Sequence, residues 1–415
     1  MIDPGQRFDV VVFGATSFVG RLLCEYLLGH YGSEGALRWA MAGRSAGRLE
    51  ALRRDLGASA SALPCLVADA ADDASLRALC DRASVVVSTV GPYALHGEPL
   101  VKACAESGTD YCDLAGEVQW IRRMIQRYEP VARASGARLV HCCGFDSIPS
   151  DLGVFFLQEQ SRERFGVPCT RVAMRVRSLR GGVSGGTAAS LLNVAREAAA
   201  DPALRRELAD PHSLCPPASD PRPRQPRIGG ARFDALSGGW IAPFVMSAIN
   251  TRVVLRSHAL LGAAYGEGFR YDEAVSTGRG LRGRLTALAM ATGLAGFLLA
   301  SAVPPTRWML RRWVLPAPGE GPSAQAQRRG HFDLRFFGTT DDGRTLRTQV
   351  TGDRDPGYGS TARMLGQAAA CLAQDFGGSR RIAGAGGFPT PASLFGSRLV
   401  ERLRAHAGLR FEVLT

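Results

Sequence analysis

The sequence is almost devoid of lysine. Lys102 is the single lysine among 50 basic residues, and all the others are arginines. Schiff-base chemistry on a lysine is therefore excluded everywhere except at that position. The formal net charge is +12, which favours acidic proteins or anionic lipid as partners. No basic run is interleaved with aromatic residues, so the pattern argues against nucleic acid.

Metal-type cysteine spacing is also missing. The 10 cysteines include no Cys-x-x-Cys pair, so the sequence predicts no metal site. Reduced, buried thiols of a cytoplasmic protein explain such cysteines best. No signal peptide precedes the first apolar run, which begins close to Met1. We therefore expect a cytoplasmic protein and leave membrane association open.

A glycine-containing turn organises the N-terminal part of the chain. Phe8–Phe13 is a short apolar run typical of a buried parallel strand, and helical spacing resumes after residue 20. A strand that enters a helix through such a turn aims backbone N–H groups at one spot, which suits a pyrophosphate. Ser17 stands where a middle glycine is usual. The predicted cofactor-binding residues of the turn are Gly14, Ala15, Thr16, Ser17, Phe18, Val19 and Gly20.

The end of the second predicted strand, residues 36–44, indicates which cofactor is bound. In a dinucleotide fold this strand end faces the adenosine ribose, where a carboxylate accepts the 2′-hydroxyl and an arginine binds a 2′-phosphate. The strand ends in Gly43-Arg44 without an acidic neighbour, so we predict NADP(H). Asp69, after the third strand, is predicted to face the adenine, and a helix cap is the alternative reading.

The fourth predicted strand runs into the segment Gly91–Gly97, where the nicotinamide half of the cofactor would emerge. Gly91 and Pro92 are predicted to line the cofactor there. Tyr93 and His96 are the candidate proton-supplying residues of this segment, and a packed or solvated turn explains them equally well. Asp146 follows the sixth predicted strand, and we consider it as a catalytic residue that orients one of the two.

The rhythm of strands and helices predicts an α/β fold with two parts. Residues 1–150 are expected to form a Rossmann-type, doubly wound parallel sheet. Residues 151–358 are expected to form an α+β substrate domain with a mixed or antiparallel sheet. A helix within 359–404 is predicted to return to the first domain, and residues 405–415 to hold a C-terminal strand.

The stretch 285–303 carries no charge and is just long enough to span a bilayer. Its two glycines and several alanines make it only weakly hydrophobic for that purpose. Arginines and tryptophans follow it at residues 307–313, as in interfacial anchors. We favour a helix that lies on lipid or covers a long acyl chain. A true span and a core helix are the alternatives.

Taken together, these segments resemble the saccharopine dehydrogenase-like oxidoreductases, and among them the trans-acting enoyl reductases of bacterial polyketide-lipid assembly. The resemblance extends over nearly the whole chain. The segments that carry it are residues 14–20, 42–44, 89–93, 111–117, 143–151, 184–187, 315–323 and 387–392.

The resemblance implies an NADPH-dependent reductase that transfers a hydride to the C=C bond of an acyl thioester or lipid-like substrate. An acyl carrier protein is a candidate carrier of that substrate, while a homodimer and peripheral membrane contact are left open. The family supplies no established catalytic residues. A saccharopine-type amino-acid dehydrogenase is the first alternative, and a non-catalytic nucleotide-binding protein of lipid surfaces is the second.

Overall fold

The structure is a computed structural model. It describes residues 7–181, 185–218, 222–314, 321–377 and 384–414. Ser184 and residues 315–320 lie outside the described residues. They belong to two of the segments that carry the family resemblance, 184–187 and 315–323.

Six parallel strands form the first sheet, in the order β3-β2-β1-β4-β5-β6. Successive connections run outward in opposite directions from the central pair β1 and β4, as in doubly wound dinucleotide-binding folds. The Rossmann-type prediction is confirmed. The strands are β1 Phe8–Phe13, β2 Trp39–Gly43, β3 Cys65–Val67, β4 Ala83–Ser88, β5 Asp110–Asp113 and β6 Leu139–Val140.

Helices cover both faces of this sheet because its strands are apolar on both sides. Val10 and Val12 of β1 pack in one core with the first two helices, whereas Val11 and Phe13 pack in the other with the third, fifth and sixth. This two-sided burial explains a continuous apolar run in place of alternation. The helices are α1 Phe18–Tyr31, α2 Ala46–Asp55, α3 Asp73–Asp81, α4 Tyr93–His96, α5 Glu98–Ser107 and α6 Val118–Ser135.

Seven strands form the second sheet, in the order β13-β12-β11-β7-β10-β9-β8. The pair β7 and β10 is parallel and the other pairs are antiparallel, so the sheet is mixed. This confirms the predicted second sheet. Its strands are β7 Arg171–Arg180, β8 Arg232–Asp234, β9 Gly239–Pro243, β10 Arg270–Gly278, β11 His331–Thr339, β12 Thr345–Gly352 and β13 Leu409–Leu414.

The helix α7 leads from the first sheet into the second and, with α10, packs against it. These helices bury apolar side chains against the alternating inner residues of the strands, such as Met174 and Phe336. The remaining helices are α7 Ile148–Phe165, α8 Gly185–Ala200, α9 Pro202–Ala209, α10 Ser247–Leu260, α11 Gly280–Ala302, α12 Pro304–Met309, α13 Ala324–Arg328, α14 Thr361–Ala370, α15 Pro391–Leu394 and α16 Gly396–His406.

Two C-terminal segments lie against the first sheet. Helix α14 packs on α1, where Gly366 leaves room for the ring of Tyr26: a Cβ at Gly366 would lie 2.8 Å from it. Further along, Gly387 forms a parallel bridge with Arg138, and its carbonyl accepts the N–H of Leu139 at 2.9 Å. The segment 386–390 thus runs beside β6 and reaches the carboxyl edge of the sheet.

The uncharged stretch 285–303 lies almost entirely within α11. The helix has a mean hydropathy of 1.8 over an 18-residue window, of which 11% is buried. The alternative of a plain core helix is therefore wrong. Helix α11 packs against one end of the second sheet, at β8, β9 and β10, and against α8.

Candidate active site

The turn between β1 and α1 is closed by a hydrogen-bonded serine. The Ser17 hydroxyl caps α1 by accepting a hydrogen bond from the N–H of Gly20 at 2.9 Å. It also lies 3.0 Å from the hydroxyl of Thr89, which follows β4 and donates to the carbonyl of Gly14 at 2.9 Å. Ser17 therefore caps the helix and ties the turn to β4, which explains a serine where glycine is common.

Two glycines allow the backbone of this turn to approach its neighbours closely. Gly14 has φ +85°, and a Cβ there would lie 2.7 Å from Val90 Cγ2 and 2.8 Å from Thr89 Oγ1. A Cβ at Gly20 would overlap the carbonyl oxygen of Gly14. A larger residue at Gly14 would push the turn away from the end of β4, and one at Gly20 would push α1 away from the turn.

The turn presents amides that no described residue accepts. The N–H groups of Gly14 and Ala15 donate to the Ala42 carbonyl at 3.0 and 3.1 Å. The amides of Thr16, Phe18 and Val19 have no partner among the described residues, as expected for the first turn of a helix. Such amides at a positive helix end bind phosphate, so this turn fits the pyrophosphate of a dinucleotide.

Phe18 is held by the second half of the chain. Its ring packs edge-on against Tyr358, with 5.2 Å between the centroids. It also lies against Gly321, where a side chain would overlap it. These contacts fix the N-terminus of α1 from outside the first sheet. The ring of Phe18 therefore has a packing role, and only its backbone amide belongs to the turn.

Arg44 is exposed immediately after the buried Gly43 at the end of β2. No hydrogen bond or ion pair engages its guanidinium in the part of the chain that the structure describes. The neighbouring helix is capped instead by Ser45, which accepts the N–H of Arg48 at 3.4 Å. Arg44 therefore keeps its five donors for a ligand at the ribose position of the fold.

Asp69 follows β3, where its carboxylate accepts the N–H of Ala71 at 3.0 Å, and its own N–H donates to Ser75 Oγ at 3.1 Å. The side chain thus stabilises the turn before α3, close to the capping role considered as the alternative. Its contact with adenine stays a prediction.

Tyr93 begins α4, a single helical turn in the segment after β4. Its buried hydroxyl donates to the carbonyl of Ser88 at 2.9 Å and accepts the N–H of Leu114 at 3.1 Å. Burial, reinforced by the charge of Asp113, raises the pKa of Tyr93 well above its usual value. The hydroxyl joins the ends of β4 and β5 and directs its proton to a backbone carbonyl, so its role as a proton donor stays a prediction.

The rest of this segment lies nearer to solvent. Gly91 and His96 are exposed and Pro92 is half-buried. Glu117 accepts the first amides of α4, those of Tyr93 and Ala94, at 3.0 and 2.8 Å. The carboxylate stabilises the positive end of this short helix and fixes the segment at the carboxyl edge of the sheet.

Asp146 is the predicted site carboxyl whose pKa is shifted towards neutral pH. It is half-buried in the turn between β6 and α7, and none of its hydrogen-bonding atoms has a partner among the described residues. Burial, and then the charge of Asp113, raises the pKa of Asp146 to about 6. A carboxyl with this pKa gains and loses a proton close to neutral pH, as a general acid requires.

A histidine–aspartate pair beside Asp146 was not predicted from the sequence. Asp113, at the end of β5, accepts hydrogen bonds from His141 Nδ1 at 2.7 Å and from the Tyr111 hydroxyl at 2.9 Å. The buried Nε2 of His141 has no partner in the described residues. Asp113 is the last residue of β5 and His141 directly follows β6, so both lie at the carboxyl edge of the observed sheet.

His141 borders a small cavity between α6, α10 and Phe388. About 20 Å³ is open to the centres of water molecules there, which is room for about one water. Ile121 and Val253 give the cavity an apolar lining, and Arg256 contributes a buried guanidinium. A water in this cavity would satisfy Nε2 of His141.

Two further buried carboxyls lie where the two sheets meet. Asp151 accepts the Ser257 hydroxyl at 2.5 Å and the N–H of Ala392 at 2.8 Å. Glu273 accepts the side-chain amide of Asn250 at 3.0 Å. Burial raises the pKa of each carboxyl to about 7. These bonds join α7, α10, β10 and α15 and so position the second sheet against the candidate site.

Comparison with known proteins identifies the family. A Mycobacterium tuberculosis protein, named as a candidate trans-acting enoyl reductase, is 44% identical over 98% of this chain and 97% of its own. A trans-acting enoyl reductase of Mycobacterium leprae is 38% identical over 97% of both chains. The chain belongs to this family. It is an NAD(P)-dependent oxidoreductase, so the alternative of a non-catalytic nucleotide-binding protein is wrong.

The N-terminal part of the chain and its overall fold also have known counterparts. Residues 10–140 match the saccharopine dehydrogenase NADP binding domain, which is the part of the chain that holds the β1–α1 turn. The saccharopine dehydrogenase (L-Glu forming) of Saccharomyces cerevisiae aligns over 98% of this chain and 99% of its own, with a TM-score of 0.50 and 14% identity. That likeness shows the fold.

Substitution of Gly14 tests whether the β1–α1 turn binds the cofactor. Gly14→Ala should weaken NADPH binding by more than about tenfold, because the new Cβ forces the turn away from Thr89 and Val90. Gly32→Ala is the matched control. Gly32 also has a positive φ, +72°, but a Cβ there meets nothing within 4 Å, and it lies at the far end of α1.

Gly32→Ala should lose about 1 kcal/mol of unfolding free energy from backbone strain. Gly14→Ala should lose more, because its Cβ also overlaps Thr89 and Val90. Both losses are measured by thermal denaturation. NADPH affinity is measured by fluorescence titration. If Gly14→Ala binds NADPH as tightly as Gly32→Ala does, the cofactor does not use this turn.

Proposed function

We propose that the protein is an NADPH-dependent enoyl reductase that reduces the C=C bond of an acyl thioester. The observation that carries the proposal is the identity of 38–44% to trans-acting enoyl reductases over nearly the full chain. Such coverage includes the second sheet and the candidate site as well as the cofactor-binding part. Arg44, Asp146 and the β1–α1 turn supply the chemistry that this reaction needs.

NADPH is preferred to NADH in this proposal because of the charge at the end of β2. An arginine without a partner fits a 2′-phosphate, to which it can donate two parallel hydrogen bonds. No carboxylate stands beside Arg44 to accept the 2′-hydroxyl of NAD(H). The amides of the β1–α1 turn would hold the pyrophosphate.

Reduction of an enoyl thioester needs a hydride at the β-carbon and a proton at the α-carbon. The bound cofactor supplies the hydride. As the C=C bond opens, negative charge moves to the thioester oxygen, where a hydrogen-bond donor stabilises it. Asp146 in its protonated form provides the proton: its O–H bond breaks as the α-carbon gains hydrogen, and the carboxylate is reprotonated from solvent.

The remaining predicted residues have different parts in this proposal. His96 is exposed at the end of α4 and is the group that would donate to the thioester oxygen. Tyr93, whose hydroxyl is engaged by backbone groups on both sides, holds the segment in place. The relatives are named trans-acting, and we extend this to the present chain as an acyl substrate delivered on an acyl carrier protein or synthase.

Oxidation of NADPH in the presence of different acceptors tests the proposed reaction. We expect absorbance loss with 2-enoyl thioesters. Saturated thioesters and saccharopine serve as controls and should give none. Turnover of saccharopine, or no turnover of any enoyl thioester including carrier-bound ones, would contradict the proposal.

Replacement of Arg44 tests the choice of cofactor. Arg44→Ala should weaken NADPH binding roughly ten- to a hundredfold, because a charge-assisted hydrogen bond contributes about 1.5–3 kcal/mol. NADH binding should hardly change. Arg54→Ala, an exposed arginine further along α2, is the control and should leave both affinities unchanged. An equal loss for both cofactors in Arg44→Ala would remove the 2′-phosphate assignment.

Replacement of Asp146 tests the proton donor through its pH dependence. Because the acid form is active, kcat should fall as the pH rises through about 6, the pKa of this carboxyl. Asp146→Asn should lower kcat roughly a hundredfold or more and abolish this step in the profile, with NADPH affinity unchanged.

Asp81→Asn, at an exposed carboxyl on α3, is the matched control and should behave as the wild type. If Asp146→Asn keeps both the rate and the pH profile of the wild type, the proton comes from another group.

A further inference from the structure

From residue 285 onward, helix α11 carries no charged residue on any face, yet most of it faces outward. Among the residues whose side chains the structure describes, 18 large hydrophobic ones are exposed, and ten of these lie between residues 281 and 313. Leu281 and Leu299 are 70% and 71% exposed. Helices at a protein surface normally present polar residues to water, so this segment is built for contact with something apolar.

Only a narrow stripe of α11 faces the protein. Its buried residues are Gly283, Ala287 and Ser301, which fall on one face at helical spacing and are small. The large side chains, such as Leu285, lie elsewhere on the circumference and are exposed. The helix is therefore packed closely against the second sheet while its bulky side chains are directed away.

Positive charge and tryptophan flank this apolar surface. Arg279, Arg282 and Arg284 are exposed around the start of α11, and Arg312 is exposed beyond its end. Trp308 and Trp313 are 59% and 65% exposed, and their rings pack together at 5.3 Å. Arginines bind lipid phosphates, while tryptophan favours the headgroup region. This charge pattern fits an anionic bilayer.

The topology of the second sheet excludes a single membrane crossing. Strand β10 leads into α11, and β11 follows it at residue 331; both strands lie in one sheet on either side of β7. A helix that crossed the bilayer would place β11 on the opposite side unless residues 303–330 crossed back. That return segment contains several arginines, which cross a bilayer at high energetic cost.

We propose that α11, α12 and residues 310–314 dock in the plane of an anionic bilayer surface. The leucines would insert among the acyl chains, and the flanking arginines would contact lipid phosphates. A second copy of this chain is a less suitable occupant, since a symmetric pair of α11 helices would bring arginine-rich ends together. The proposal does not depend on the reaction proposed above.

Flotation of the full chain with lipid vesicles tests this proposal. The protein should float with vesicles that contain about a third phosphatidylglycerol and not with pure phosphatidylcholine. Leu298→Asp combined with Leu299→Asp should reduce binding by more than about tenfold. Val131→Asp, an exposed position on α6, is the matched control and should bind as the wild type.

A charge-removing variant tests the electrostatic part separately. Arg282→Gln combined with Arg312→Gln should weaken binding to the anionic vesicles roughly thirtyfold, since each arginine near such a surface contributes about 1 kcal/mol. All variants should keep the thermal unfolding midpoint and the NADPH affinity of the wild type, which shows that they are folded.

Two results would overturn the proposal. One is a wild-type protein that binds neither kind of vesicle, or both equally. The other is a dimer in analytical ultracentrifugation that the Leu298→Asp, Leu299→Asp variant converts to a monomer, since the apolar surface would then be an interface between two copies.

Discussion

The close approach of the β1–α1 turn to β4 is the constraint on which the candidate site depends. A Cβ at Gly14 would overlap Thr89, and a Cβ at Gly20 would overlap the Gly14 carbonyl, so both positions require glycine. Within that space Ser17 caps α1 and contacts Thr89 through one hydroxyl. The helix end is thereby fixed with its free amides at the carboxyl edge of the sheet, where a dinucleotide binds.

A second set of contacts, made by buried polar groups, fixes the two sheets relative to each other. Asp151 on α7 accepts bonds from α10 and from the start of α15. Gly387 extends the first sheet beside β6 and brings Phe388 against His141, with 5.5 Å between the ring centroids. Removal of one member would leave buried groups without partners. The residues 387–392 that carry part of the family resemblance thus serve to join the two halves.

Much of the fold was predictable because its signals are local. The apolar run Phe8–Phe13, bounded by Gly14, gives β1 with the predicted ends, and the uncharged stretch 285–303 gives a single helix. The chemistry of the site depends on contacts between distant residues. Parallel pairing of β4 with β5 brings the Leu114 amide to the hydroxyl of Tyr93. The pairing of β5 with β6 brings His141 beside Asp113. No local pattern encodes such pairings, so neither the hydrogen bonds of the Tyr93 hydroxyl nor the histidine–aspartate pair was predicted.

The central claim is that this fold delivers a hydride from NADPH to the β-carbon of an enoyl thioester. Turnover with NADPH deuterated at C4 of the nicotinamide tests it most directly, with mass spectrometry and NMR of the saturated product. One of the two C4 epimers should place deuterium at the β-carbon, and the α-carbon should gain hydrogen from solvent. Deuterium at the α-carbon, or a product without deuterium from either epimer, would contradict the account.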